Sequence, residues 1–315
     1  MSEVSVYAAV LNERTTIGPL LKSLLAQTLP PDEILVVDGG STDGTTDVVR
    51  EYAKKDERIR LVVAPKTNIA QARNVALANA RHDLIASIDG GCVARIDWLE
   101  ELLFSMKKDV DIVSGVYAAD PASAWEGAVA DFFYPDPDRL PSDWNQPSHR
   151  SILVRRRAYE LVGPFPERLF RSEDSWFNAQ ASRLGLRFRL ARNAAVYWKP
   201  RQNLREVFTN SYLWVKSDLE NDVNRAYEKN RAIRITLRLI GKVAAFLLWL
   251  LVAILNPLSG VLTLPLLIFH LIKISHKMRS TAHFFWHNGL DYTIMVASAA
   301  GLFAGELGRI RQRVG

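Results

Sequence analysis

Residues 33–44 read EILVVDGGSTDG and pass from a short apolar run, mostly of β-branched and aliphatic residues, into a loop of turn-forming residues. The run indicates a buried strand that ends at Asp38, and the loop indicates a tight turn before a helix over about residues 45–55. In an open parallel sheet, ligands bind beyond the carboxyl ends of the strands. The end of this strand is therefore the first place to look for a binding site.

The same alternation of strand and helix patterns runs through the first two thirds of the chain. Strand patterns cover about residues 4–11, 60–64, 84–88, 111–117, 151–155 and 194–197, and helical patterns cover about residues 15–27, 69–80, 98–107 and 175–184. This order predicts an α/β fold with a parallel sheet covered on both faces. Residues 131–150 are rich in proline, and we expect a flexible loop there.

The C-terminal quarter has a different composition. Residues 243–272 contain no Asp, Glu, Lys or Arg, and apolar segments cover about residues 237–255 and 258–272. A weaker segment at about 291–307 carries small residues that suit close helix packing. We therefore expect an α/β domain over residues 1–235 and transmembrane or membrane-associated helices over residues 236–315.

Charge and cysteine content narrow the class of protein. The net charge is +6, but no basic run is interleaved with aromatic residues, which argues against a nucleic-acid partner. Basic residues instead cluster at 273–279 and 309–313, beside apolar segments, which favours a lipid bilayer as partner. The single cysteine, Cys92, excludes an internal disulfide.

The N-terminal residues enter a strand pattern without the basic and apolar regions of a signal peptide. We therefore expect the first domain to lie on the cytoplasmic side of the cell membrane. The apolar segments would anchor it as a hairpin or as several spans.

Polar and glycine residues follow three of the predicted strands. They are Asn12 and Glu13 after the first, residues 38–44 after the second, and Asp89 with Gly90 after the fourth. The carboxyl ends of parallel strands meet at one edge of a sheet, so these side chains are predicted to form one site.

These motifs together resemble the family 2 glycosyltransferases, which have a GT-A, Rossmann-like fold of the nucleotide-diphospho-sugar transferase type. The resemblance covers about residues 4–205 and rests on the order of five motifs: LNE at 11–13, VVDGGSTDGT at 36–45, Ala72-Arg73-Asn74, IDGG at 88–91 and Ser172-Glu173-Asp174. It implies that residues 1–235 are a catalytic domain that takes a UDP- or GDP-sugar as donor.

The resemblance also implies a role for each motif. Asp38 would accept a hydrogen bond from a uracil-like base, although a turn-forming role is the alternative, and Glu13 would hold ribose hydroxyls. Asp174, in a Glu-Asp pair at the start of a helix, would be the base of an inverting transfer, with helix capping as the alternative. The other implied substrate-binding residues are Asn12, Gly40, Arg73, Asp89, Gly90 and Glu173.

Two downstream arginines, Arg201 and Arg205, offer positive charge that would face a diphosphate. A solvated strand and helix is the equal alternative. The spacing from Gln202 to Arg205 is similar to the Gln-x-x-Arg-Trp motif of processive members, but Glu206 stands where tryptophan would be. This departure weakens any prediction of polymer synthesis.

The metal-binding motif departs from the family pattern. Family members carry Asp-x-Asp after the fourth strand, whereas this chain has Asp89-Gly90-Gly91. Asp89 is therefore the one implied protein ligand for a divalent cation, Mg²⁺ or Mn²⁺, whose other ligands would be phosphate oxygens and water.

The resemblance implies transfer of a sugar to a hydroxyl group of a lipid-linked or other membrane-bound acceptor. Two alternatives stay open, namely a synthase that glycosylates polyprenyl phosphate and a catalytically silent scaffold that binds sugar nucleotides. The sequence leaves the oligomeric state open, with a homo-oligomer among the options.

Overall fold

The computed structural model describes residues 3–119 and 121–220, together with some positions between 233 and 254 and most of those between 293 and 307. The chain forms two compact units, one of residues 1–120 and 134–199 and the other of residues 121–133 and 200–315. The second unit thus takes in residues 121–133 and 200–235, which we expected in the α/β domain. The predicted boundary at residue 235 lies outside the described residues.

The described strands and helices follow the predicted order. They are β1 (Val4–Val10), α1 (Ile17–Leu25), β2 (Glu33–Asp38), α2 (Thr45–Ala53), β3 (Ile59–Val63), α3 (Ile69–Asn79), β4 (Leu84–Ser87), β5 (Cys92–Ala94), α4 (Trp98–Ser105), β6 (Ile112–Ala118), α5 (Ala124–Phe133), β7 (Ile152–Arg155), α6 (Arg156–Val162), α7 (Glu173–Arg183), β8 (Phe188–Trp198) and α8 (Leu204–Glu220).

The prediction of a loop over residues 131–150 is wrong at its start, because α5 continues to Phe133. A short 3-10 helix, Pro137–Arg139, lies within the same stretch. Helix α6 was not predicted, since it follows β7 directly and no turn-forming residue separates the two. Strand β5 has only three residues, too few for a periodic pattern.

One eight-stranded sheet forms the centre of the first unit, in the order β3-β2-β1-β4-β7-β6-β8-β5. The prediction of a parallel sheet holds for β3, β2, β1 and β4 and is wrong for β7, which is antiparallel to both β4 and β6. A strand buried on both faces reads as a continuous apolar run in either direction, so the sequence pattern did not reveal the reversal.

Helices cover both faces of this sheet, as predicted. Side chains of β1 alternate, so that Val6 and Ala8 pack with α1, α2 and α4, whereas Tyr7 packs with α3, α6 and α7. Helix α1 buries Ile17 and Leu24 on one stripe, which is the spacing expected of an amphipathic helix. Helix α3 begins at a capping box formed by Asn68 and Gln71.

The second unit contains α5 and α8, whose side chains Ala128, Val129 and Val207 form a small apolar cluster. The described positions between 293 and 307 are helical. A Cβ atom on Gly301 would lie 2.7 Å from the Tyr212 carbonyl oxygen, so this backbone packs directly against α8. The predicted close packing of the small residues is confirmed here.

The described positions between 233 and 254 are helical and exposed. The large apolar residues among them are Ile233, Leu237, Ile240, Leu247, Leu250, Leu251 and Ile254. Within the part of the chain that is described, no helix is long and apolar enough to cross a bilayer. The predicted segment at 258–272 lies outside the described residues.

Two buried hydrogen bonds beside Gly115 on β6 connect α4, the residue before β7, and β8. Trp98 Nε1 donates to Ser151 Oγ at 2.8 Å, and Ser151 Oγ donates to the Ala194 carbonyl at 2.9 Å. A Cβ atom on Gly115 would lie 1.9 Å from Ser151 Oγ and 2.8 Å from the Ala194 oxygen. Only glycine leaves room for these two hydrogen bonds.

Gly115→Ala is therefore expected to lower the free energy of unfolding by on the order of 3 kcal/mol, because it overpacks the core and displaces buried hydrogen bonds. Denaturant unfolding followed by tryptophan fluorescence measures the change. Gly18→Ala, within α1, is the matched control: its Cβ would meet Tyr52 at an ordinary 3.7 Å, so stability should rise by roughly 0.5–1 kcal/mol. Equal effects of the two substitutions would contradict this account.

His149 is fully buried in the cluster that contains Tyr159, Phe165 and Phe177. Its ring centroid lies 5.3 Å from those of both phenylalanines, and neither ring nitrogen has a hydrogen-bond partner among the described residues. Burial, followed by the positive charge of Arg73, lowers the pKa of His149 well below its ordinary value. The folded protein therefore keeps this imidazole neutral.

This neutral histidine predicts a loss of stability in mild acid. Below about pH 6.5 the unfolded chain binds a proton at His149 that the folded protein does not, so the free energy of unfolding falls by up to about 1.4 kcal/mol per pH unit. His149→Phe should remove this loss between pH 7.5 and 5.5, as measured by urea unfolding. His149→Gln should also flatten the profile but be less stable throughout, and profiles parallel to wild type would refute the prediction.

Candidate active site

Three loops follow the carboxyl ends of β1, β2 and β4, which are neighbours in the parallel part of the sheet. The Asn12 amide donates to Ser41 Oγ at 2.8 Å, and the Thr42 amide donates to Asn12 Oδ1 at 3.0 Å. The Glu13 amide donates to Thr45 Oγ1 at 2.8 Å. The predicted residues Asn12 and Glu13 thus lie against the loop after β2, and Asn12 ties the two loops together.

Asp38 is fully buried at the end of β2. Its Oδ1 accepts hydrogen bonds from the amides of Gly40 and Ser41 at 2.8 and 2.7 Å, which is the turn-forming role that the sequence left open. Its Oδ2 is buried too and has no hydrogen-bond partner among the described residues. A buried acceptor without a partner costs free energy, and a ligand N–H that reached this oxygen would recover it.

Two predicted glycines lie where a side chain would not fit. Gly40 has a φ of +101°, and a Cβ atom there would lie 3.2 Å from Pro65. A Cβ atom on Gly90 would lie 2.9 Å from Val10 Cγ1 and 3.0 Å from Glu13 Cγ. Gly90 therefore lets the loop after β4 lie directly against the end of β1.

Arg73, on α3, joins three of the predicted residues. It is 3% exposed, and its Nη1 donates to Glu173 Oε1 at 2.5 Å while its Nη2 lies 3.4 Å from Asp89 Oδ1. Burial alone would lower the pKa of Arg73, but the negative charges of Glu173 and Asp89 outweigh it and the pKa is raised. The guanidinium therefore stays charged and holds the loop after β4 to the start of α7.

The two acidic residues at the start of α7 face different surroundings. Glu173 is buried against Arg73, and burial raises the pKa of its carboxyl. Asp174 is half-buried, and its Oδ1 accepts from the Ser175 amide at 2.8 Å. No partner for its Oδ2 is found among the described residues. The pair thus consists of one positioning carboxylate and one accessible carboxylate.

Arg150 also belongs to this group, although the sequence analysis did not select it. Its Nε lies 3.4 Å from Asp89 Oδ2, and its guanidinium carbon lies 4.1 Å from the centre of the Trp198 ring. The missed signal was its place two residues before β7. Since β7 is antiparallel to β4, with Ser87 opposite Ile152, the start of β7 meets the end of β4.

The residues around Asp89 do not form a metal site by themselves. Its side chain is 29% exposed, but each carboxylate oxygen faces a guanidinium, from Arg73 or Arg150. Across the described part of the chain, no three His, Cys, Asp or Glu residues form a group that could hold a metal ion. Burial raises the pKa of the Cys92 thiol well above its ordinary value, which leaves this residue unreactive.

Arg201 and Arg205 belong to the second unit. Arg201 is buried, with its guanidinium carbon 5.3 Å from the centre of the Phe133 ring and 5.1 Å from that of Trp214. Arg205 is exposed on the first turn of α8. Glu206 accepts from Asn203 Nδ2 at 2.7 Å and helps to cap this helix. The role predicted for the two arginines at a diphosphate stays a prediction.

Comparison with known proteins agrees with this architecture. EpsH of Bacillus subtilis (strain 168) is 29% identical over 192 residues, which cover 56% of this chain and 55% of that protein. The glycosyltransferase AglE of Haloferax volcanii is 28% identical over 201 residues, which cover 58% of this chain and 62% of that protein. The chain thus spans between about half and two thirds of the length of these relatives.

The fold is also similar to that of a solved structure, the mannosyltransferase PcManGT from Pyrobaculum calidifontis in complex with GDP-Man and Mn²⁺. The TM-score is 0.59 at 16% identity, and the similarity covers 99% of this chain and 88% of that one. The family model described as glycosyl transferase family 2 matches residues 5–176, which run from β1 into α7 and make up more than half of the chain. The chain therefore belongs to glycosyl transferase family 2 and has its mixed α/β, GT-A-like fold.

Proposed function

We propose that the protein is an inverting glycosyltransferase that moves a sugar from a nucleotide-diphospho-sugar to a hydroxyl group of a membrane-bound acceptor. One observation carries the proposal: Arg73 bridges Asp89, at the end of β4, and Glu173, at the start of α7. This bridge brings the loops proposed to bind the donor close to Asp174, the accessible carboxylate that would act on the acceptor.

The donor would bind across the loops that follow β1, β2 and β4. Support comes from the buried Asp38 Oδ2, which is without a hydrogen-bond partner among the described residues and would accept an N–H of the base. The glycines at 40 and 90 allow the backbone to come close to a ligand. The donor class follows the GDP-Man of the similar structure, and either a UDP- or a GDP-sugar fits the proposal.

Asp174 would be the general base. As the acceptor oxygen attacks the anomeric carbon, its proton passes to the free oxygen of Asp174 and the bond to the departing diphosphate breaks. Glu173 is unsuited to this step because it is buried and ion-paired with Arg73. Its role in the proposal is to hold the start of α7 beside Asp89.

A divalent cation, Mg²⁺ or Mn²⁺, is also part of the proposal, because Mn²⁺ accompanies GDP-Man in the similar structure. Asp89 would be its protein ligand, and phosphate oxygens and water would complete the shell. When bound, such a cation would neutralise negative charge on the diphosphate.

The membrane-bound acceptor is proposed from the second unit. Leu237, Ile240, Leu247, Leu251 and Ile254 are between 52% and 69% exposed. Several exposed apolar residues on one helical segment favour contact with lipid, and a lipid-linked sugar is proposed as the acceptor on that ground. A polyprenyl phosphate is the alternative acceptor, and it would offer a phosphate oxygen instead of a hydroxyl group.

The proposed activity is tested with the purified full chain, a panel of UDP- and GDP-sugars and membrane lipid extract, in Mg²⁺, Mn²⁺ or chelator. Asp174→Asn should lower turnover by on the order of 10²-fold or more with donor affinity unchanged, because only the base is lost. Asp47→Asn, an exposed position on α2, should leave turnover unchanged. Full turnover by Asp174→Asn would refute the assigned base, and donor binding without any product would favour the silent scaffold.

The proposed lipid contact is tested by co-sedimentation of the full chain with vesicles that contain anionic lipid. The triple variant Leu247→Ser, Leu251→Ser, Ile254→Ser should bind at least about tenfold more weakly, because each substitution removes apolar area from the contact. Phe104→Ser is the control, since Phe104 is a single exposed apolar residue on α4 of the first unit. Equal sedimentation of the triple variant and wild type would rule out these three residues as part of a lipid-binding surface.

A further inference from the structure

Arg150 lies at the place where the family's metal-binding motif is incomplete. Its Nε faces Asp89 Oδ2 at 3.4 Å, and its guanidinium stacks on Trp198, the same ring that borders Gly91. A Cβ atom on Gly91 would lie 3.7 Å from the nearest Trp198 atoms, an ordinary contact. A β-carbon therefore fits at the position where the family carries its second carboxylate, and an arginine lies beside that position.

The guanidinium of Arg150 is held in place before any ligand arrives. The Arg150 side chain is 18% exposed. Its guanidinium carbon lies 4.1 Å from the Trp198 ring centre and 5.4 Å from that of Tyr117, and Nη1 donates to Ser148 Oγ at 2.9 Å. Trp198 is held by Tyr134, whose ring centre lies 5.7 Å from that of Trp198 and whose hydroxyl donates to the Trp198 backbone carbonyl at 2.8 Å. A group held in this way loses little entropy on binding.

Arg150 also has hydrogen-bonding capacity to spare. Guanidinium carries five N–H donors, and among the described residues only Ser148 and Asp89 face them. Asp89 is shared with Arg73, which lies 3.4 Å from its other oxygen. The negative charge of Asp89 still keeps the pKa of Arg150 raised, against the lowering effect of burial. A largely buried cation with unused donors is suited to an anion.

We propose that Arg150 binds the diphosphate of the donor. In family members, a cation held by two carboxylates supplies positive charge at this position, and here the Arg150 side chain would supply it. The inference rests on the proposed function. Arg150 would donate N–H groups to non-bridging phosphate oxygens in the bound donor. When the bond from the anomeric carbon to the diphosphate oxygen breaks, the electron pair goes to that oxygen, and Arg150 stabilises the added charge.

The test measures binding, by titration calorimetry in chelator and in Mn²⁺, of UDP, GDP, uridine and guanosine to the full chain. Arg150→Gln should weaken binding of the preferred nucleoside diphosphate by on the order of 10- to 100-fold in chelator and leave binding of its nucleoside unchanged. Mn²⁺ should recover more of the affinity in this variant than in wild type. Arg189→Gln, an exposed arginine on β8, is the matched control and should bind like wild type.

The outcomes separate the two proposals. If wild type binds neither UDP nor GDP, the proposed function fails and this inference fails with it. Suppose that wild type binds a nucleoside diphosphate. If Arg150→Gln then weakens the binding of diphosphate and nucleoside equally, or changes the binding of neither, only the role of Arg150 is refuted. If Arg150→Gln does not unfold cooperatively, Arg150→Lys decides: a loss of several-fold for the diphosphate alone supports the proposal, because lysine lacks the planar fork, and no loss overturns it.

Discussion

The buried ion pairs of Arg73 are the interaction on which the rest of the site depends. A guanidinium that is 3% exposed is stable only with compensating negative charge, and Asp89 and Glu173 provide it. These two residues lie on different elements and are far apart in the chain, so Arg73 fixes the loop after β4 to the start of α7. Removal of either carboxylate would leave the buried positive charge of Arg73 without one of its two partners. The geometry around Asp174 depends on both ion pairs.

Sequence periodicity predicted the parallel half of the sheet and most of the residues at its edge. Asn12, Asp38 and Asp89 were found because each follows an apolar strand, which is a local pattern. Arg150 was missed because its position depends on the direction of β7, and the four residues of that strand are apolar whichever way it runs. The residues that follow strand ends were therefore predictable from the sequence. Those whose position depends on the direction in which a strand pairs with its neighbours were not.

The C-terminal third shows a different limit of sequence reasoning. Gly301 and Gly305 correctly indicated close packing. Neither glycine forms a turn, and a glycine inside a helix allows another helix to come close to its backbone. Apolar composition alone did not tell whether a segment packs on its own unit or faces outward. The described large apolar residues between 233 and 254 are exposed, whereas the apolar segment that holds Gly301 and Gly305 packs against α8, and only their surroundings distinguish the two.

Three consecutive residues before β7 have three different surroundings. His149 packs among the aromatic residues on one face of the sheet, Arg150 faces Asp89 at its edge, and Ser151 bonds to Trp98 on the other face. Insertion or deletion of one residue within this triplet would move each side chain into the surroundings of its neighbour. The number of residues here is therefore fixed. The preceding stretch of the first unit, residues 134–147, is also tied to its surroundings, because Ser114 Oγ donates to the Trp144 carbonyl and Asn178 Nδ2 donates to the Pro147 carbonyl. A change in the length of the chain between Tyr134 and Arg150 would therefore act on the donor side of the site as well, because it would move Arg150 relative to Asp89 and Trp198.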